Sequence, residues 1–260
     1  MKKSSRINSF SLLLFLGVIT SSYSIELTLV TENLPPFQIR NNENEISGFS
    51  TEIIKAALNK TPYSYHIEMH PWTRAYHIAQ KKQNTCIFSI AYTPERERLF
   101  QWVAPIATTN TYFIGLKSNK KIHLTSLEDA KNYITAVIKD DMSHQRLIKQ
   151  GFIEFKNYYV INDSDSILKL LYTRKNIDLI LIDDLTIADR AKRYHLDPNL
   201  FKPYLKLNDK PSNFYLACSN PTSTDVINTL KAAIEKLKKS SEYKNIMTKW
   251  LPNQKAEPNE

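Results

Sequence analysis

The chain has 260 residues, 42% of them hydrophobic and 11% aromatic, and a formal net charge of +9 at pH 7. That composition excludes a disordered chain, which would carry too little apolar surface to build a core. The surplus of Lys is spread along the chain and gathers only at Lys236, Lys238 and Lys239, so it reads as solvated helix faces and not as a nucleic-acid surface.

The first residues point to a compartment. Lys2, Lys3 and Arg6 precede an apolar run from Phe10 to Ile19, and Ser22-Tyr23-Ser24 offers a small-x-small cleavage site before Ile25. This order is that of a secretory signal peptide, predicted over 1–24 with export to the periplasm. The run is short for a membrane span, and no Cys follows it to carry a lipid anchor. Residues 25–260 are enough for one large or two smaller domains.

Next, Leu27 to Thr31 is a short β-rich run that ends before the breaker Leu34-Pro35-Pro36-Phe37. Gly48 opens a helix with Phe49, Ile53, Ile54, Ala57 and Leu58 on one side. Tyr63, Tyr65, Ile67 and Met69 alternate as in a strand. Pro71 then suits the first turn of a helix bearing Trp72, Ala75, Tyr76 and Ala79. Thr85 to Ile90 is a compact apolar strand.

The pattern then recurs. Ser126 and Asp129 form a capping-box-like start, Tyr133 to Ile138 is a strand, and a helix ends near Gly151. Asn157 to Ile161 is another strand, and Asp163 or Ser164 is placed to cap a helix carrying Ile167, Leu170 and Leu171. Ile177 to Ile182 is a buried strand followed by a helix through Arg193. Val226, Leu230, Ala233, Ile234 and Leu237 mark an amphipathic helix, and a last one ends near Trp250. Strands alternating with helices twice over predict two α/β layers with mostly parallel sheets. Thr108 to Lys117 and Leu205 to Cys218 lie between the arrays as the expected chain crossings. Cys86 and Cys218 both fall in apolar strands, and two buried free thiols are expected there in preference to a disulfide. No metal-ligand spacing and no cofactor motif is present.

One stretch carries chemistry: Ser89-Ile90-Ala91-Tyr92-Thr93-Pro94-Glu95-Arg96. A strand ends and a Thr-Pro turn sends an Arg beyond its carboxyl end, where ligands bind in open α/β sheets. A guanidinium there holds a carboxylate through two parallel hydrogen bonds. The stretch resembles the strand-Thr-x-x-Arg segment of the family 3 solute-binding proteins, the polar amino-acid binders of ABC importers. Pro36-Phe37, Gly48-Phe49-x-x-Glu52-Ile53, Ile177-Asp178-Leu179 before Asp183, and Lys249-Trp250-Leu251 follow in the order of that family, and Pro71-Trp72-Thr73-Arg74-Ala75-Tyr76 is similar to a divergent branch of it.

The resemblance implies a two-lobed periplasmic-binding-protein fold with a central ligand cleft. Lobe one is expected over 25–108 and 215–252, lobe two over 109–214, and a polar tail over 253–260. It implies that Arg96 clamps a ligand carboxylate, the alternative being a surface Arg paired with Glu95 or Glu97. It implies that Asp183 receives a ligand amine, the alternative being the N-cap of the next helix. Ser89 is a ligand contact or an ordinary strand-end Ser; Glu32 points into the cleft or begins a loop. Tyr92 fills space or stacks on the ligand. Trp72 and Tyr76, with Phe37, line the cleft or belong to the core. Asp140-Asp141-Met142 stands where the family often has a Gly-Ser-Thr turn supporting the ligand carboxylate, which favours a more positive ligand, a basic amino acid or an amine.

The function so implied is capture of a small polar solute by a monomeric periplasmic protein for an ABC importer or a receptor, with no nucleic-acid partner. Two other functions are carried on the same fold: an enzyme of the cyclohexadienyl dehydratase type and a sensory ligand-binding module.

Overall fold

The computed structural model describes residues 25–41, 43–207 and 211–251. The expected signal peptide over 1–24 and polar tail over 253–260 lie outside the described residues. In the first part of the chain run β1 (Glu26–Thr31), the short hairpin β2 (Ile39–Arg40) and β3 (Ile46–Ser47), α1 (Phe49–Leu58), β4 (Ser64–Met69), α2 (Trp72–Lys81), β5 (Thr85–Ala91) and β6 (Phe100–Thr109). The second array comprises β7 (Thr111–Leu116), α3 (Leu127–Ala130), β8 (Thr135–Ile138), α4 (Met142–Lys149), β9 (Tyr158–Ile161), α5 (Ile167–Thr173), β10 (Leu179–Asp183), α6 (Ile187–Arg193) and β11 (Phe201–Lys206). The chain closes with β12 (Ser212–Ser219), α7 (Thr224–Lys238) and α8 (Ser241–Trp250).

Two five-stranded sheets result, ordered β4-β1-β5-β12-β6 and β11-β7-β10-β8-β9. In each, three strands pair in parallel and the other two join antiparallel. The sheets are therefore less parallel than the βα alternation suggests. The reason is that the two passages between sheets, from β6 to β7 and from β11 to β12, enter as antiparallel strands and not through helical crossovers. The fold is the two-lobed α/β architecture with a cleft between the sheets.

Apolar periodicity places each helix. On one face of the first sheet α1 packs against α7 and α8; on the other α2 covers β1 and β5. Gly48 precedes α1 at φ +115°, and a Cβ there would lie 2.6 Å from the Phe37 carbonyl oxygen, so only glycine fits the entry. Pro71 is the N-cap of α2 and lies one residue outside its first turn. Ser126 and Asp129 form the full capping box at α3. The residue before α5 is Ser166, and no side chain caps that helix, so Asp163 and Ser164 do not serve as its cap.

The expectation of two free thiols is corrected. Cys86 and Cys218 are fully buried and joined as a disulfide. They lie directly opposite each other on the antiparallel pair β5–β12, a relation that sequence separation hides and register reveals.

Candidate functional site

The carboxyl ends of β1, β5, β8 and β10 converge on one narrow cavity between the sheets. Glu32 follows β1, Ser89 lies near the end of β5, Asp141 follows β8 and Asp183 ends β10; Trp72 from α2, Thr186 just before α6 and Arg190 from α6 complete the polar lining. Leu34, Leu181 and Phe214 are among its apolar walls.

Local structure aims these side chains. Ser89 has φ +60°, and the β5–β12 register skips it, pairing Phe88 with Leu216 and Ile90 with Tyr215. This bulge releases Ser89 from the ladder and places it at the cavity, where its hydroxyl donates to Gln38 Oε1 at 2.8 Å. Asp183 pairs in register with Thr111. The hydroxyls of Thr109 and Thr111, one on each strand of the first passage between sheets, donate to its Oδ1 at 2.8 and 3.3 Å. Asp183 makes no side-chain cap on the turn that follows, so its carboxylate is committed to the cleft side and not to a helix end.

Burial dominates the electrostatics. It pushes Glu32 up to about 8, against a Ser164 hydrogen bond and the Arg190 charge, while Asp141 and Asp165 add to the rise. It pushes Asp183 up to about 7 against the two threonine hydroxyls, with Asp141 and Asp184 adding to the rise. Arg190 is buried, donates to the Ser164 carbonyl, and is drawn down by burial while Glu32, Asp165 and Asp183 hold its charge. Glu32 Oε2, Trp72 Nε1 and Arg190 Nε are buried without a hydrogen-bond partner among the described residues. Orphaned buried polar atoms are rare, and three of them on residues lining one cavity are groups a ligand can satisfy. No three His, Cys, Asp or Glu among the described residues are grouped to hold a metal ion.

Glu32, Ser89, Trp72 and Asp183 are thus brought together; Arg96 and Tyr92 are not. Arg96 is fully buried, not a surface partner of Glu95 or Glu97, yet it does not line the cavity. Its guanidinium lies over the Trp72 and Tyr76 rings, donates to the Ala91 carbonyl at 2.8 Å, and reaches across to the Asp140 carbonyl at 2.7 Å. Tyr92 is 44% exposed and packs on Trp102 and Tyr215, beside a separate groove with Thr93 and Gln145. Phe37 is core, packed on Phe49 and Phe214. Arg190 and the threonine pair were not singled out by the sequence.

Several contacts tie the two sides of the cleft: Arg96 to Asp140, Thr93 to Gln145 at 3.0 Å, Asn33 to Asp165 at 2.6 Å, and the ion pair of Glu95 with Lys149.

The comparisons with known proteins agree with this architecture. Residues 27–253 match the bacterial extracellular solute-binding proteins, family 3, and the chain belongs to that family. An arginine-binding periplasmic protein of Mannheimia haemolytica is 20% identical over 250 residues, covering 92% of this chain and 97% of that protein. A putative ABC transporter arginine-binding protein 2 of Escherichia coli strain K12 is 23% identical over 221 residues, covering 84% and 86%. Among solved structures, a histidine kinase sensor domain with similarity to periplasmic binding proteins superposes with a TM-score of 0.78 at 14% identity, covering 88% of this chain and 96% of that one.

Proposed function

We propose that this family 3 solute-binding protein captures a small polar solute bearing positive charge, an amino acid or an amine, in the cavity between its lobes. The observation that carries this reading is Glu32. Its Oε2 is a buried acceptor without a partner, in a cavity lined by two further carboxylates and one guanidinium. A solute ammonium or guanidinium supplies the missing donor as Glu32 gives up the proton that burial holds on it, in a charge-assisted bond worth about 1.5–3 kcal/mol. The names of the two curated relatives, both arginine-binding, support a basic solute.

The lobes are taken as 25–108 with 215–252, and 109–214. The chain passes between the sheets at β6–β7 and β11–β12, close to those bounds, and a solute bridging Glu32 and Asp183 touches both lobes and favours closure. The closed, monomeric protein presents its solute to the membrane subunits of an ABC importer, after export directed by residues 1–24. The proposed role is binding without catalysis, which needs no nucleophile. Titration calorimetry with basic, neutral and acidic amino acids and with polyamines tests the reading. Basic solutes are expected to bind most tightly, and preference for an acidic solute overturns it.

A further inference from the structure

Asp141 lines the cavity and caps the helix that begins beside it, so a negative charge already stands at that helix end. Helix α4 starts at Met142, and its first N–H groups and its dipole favour negative charge. Asp141 supplies that charge from within: its Oδ1 accepts from Met142 N at 2.6 Å and its Oδ2 from Ser143 Oγ at 2.7 Å. Arg96 is drawn to Asp141 and Asp140 electrostatically, and two of its nitrogens are committed to the carbonyls of Ala91 and Asp140. Elsewhere in the same lining the position is reversed. Among the described residues, Glu32 is nine-tenths buried with Oε2 unpartnered, and Asp183 is held by two hydroxyls with no cation bonded to it.

We propose that the solute is an organic cation lacking a carboxylate, an amine or guanidine, because Asp141 occupies the helix terminus that a solute carboxylate would need. This rests on the solute-binding reading above and narrows it. A zwitterion brought into the cavity sets its carboxylate beside Asp141, where the orphaned Nε of Arg190 and Nε1 of Trp72 offer one donor each and Arg190 Nη1 is already turned to the Ser164 carbonyl. Like charges in a partly dry site repel strongly. A carboxylate-free cation meets none of this repulsion and satisfies Glu32.

Matched pairs test the inference on the purified protein by calorimetry: cadaverine against L-lysine, agmatine against L-arginine, with putrescine and spermidine added, and L-glutamate and L-glutamine as controls. Each amine is expected to bind at least tenfold more tightly than its amino acid. In the D141S variant, which keeps a capping oxygen and removes the charge, the gap is expected to close or invert. Equal or tighter binding of the amino acids by the wild-type protein overturns the inference while leaving the solute-binding reading standing. Failure of every amine also overturns it, and if the amino acids fail too, the reading falls with it. The wild-type pairs decide the matter even if D141S does not fold.

Discussion

Glu32→Gln is expected to stabilise the empty protein at alkaline pH and to abolish solute binding. Glu32 ionises near 4.5 in an unfolded chain and at about 8 in the folded one. Below pH 4.5 the group is protonated in both states and costs nothing. Between pH 4.5 and 8 the unfolded chain has lost the proton that the folded protein still holds, so stability falls as pH rises. At pH 8 the penalty is about 2–4 kcal/mol, allowing for some hydration of the cavity. Gln keeps the shape and removes the titration. In a protein of this size each kcal/mol moves Tm by about 2–4 °C, so the variant should melt roughly 5–15 °C above wild type at pH 8 and close to it at pH 5. Thermal denaturation followed by circular dichroism across that range reads the difference directly. Calorimetry on the same samples should show the loss of affinity for cationic solutes. Parallel Tm-against-pH curves for the two proteins would refute the reasoning, as would a variant that binds as tightly as wild type.

The remaining predictions use other parts of the site and fold. Affinity for a cation should rise with pH between about 6 and 8.5, by up to about tenfold per pH unit for each carboxylate that must lose its proton, since Asp183 and Glu32 titrate at about 7 and 8; titrations in buffers of different ionisation heat should show protons released on binding. Arg96→Lys cannot reach both the Ala91 and Asp140 carbonyls, so it should weaken every solute by about tenfold or more through loss of closure; calorimetry showing loss confined to carboxylate-bearing solutes would assign Arg96 to the ligand instead. Reducing the Cys86–Cys218 disulfide, whose cysteines are 132 residues apart, should cost about 4 kcal/mol, read as a fall in Tm of roughly ten degrees with reductant.

Much of this fold was legible because periodicity and punctuation do not depend on distant contacts. Gly48, the Ser126–Asp129 box and the apolar stripe of α7 each declare an element locally. The disulfide was not legible, because it depends on the register of two strands far apart in sequence. Glu32, Ser89 and Asp183 line the cavity from strand ends, where α/β sheets face ligands, and the family resemblance is what points to Ser89 and Asp183. Arg96 was placed beyond a strand end correctly, but its orientation depends on the Trp72 and Tyr76 rings and on carbonyls that only the folded chain assembles. Arg190 carries a local signal in the sequence. It falls on the stripe of α6 with Ile187 and Ala191, and a charge on an apolar stripe marks a buried cation needing partners. Thr109 and Thr111 flank the passage between sheets, and only the β7–β10 register brings them to Asp183.

The claim that a small cation binds between Glu32 and Asp183 is tested most directly by native mass spectrometry. The wild-type protein and the Glu32→Gln, Asp183→Asn double variant would each be incubated with a bacterial small-molecule extract. The account predicts a single one-to-one adduct on the wild type, its mass that of a basic molecule, and none on the variant. An acidic adduct, an adduct equally abundant on both proteins, or none on the wild type would contradict it.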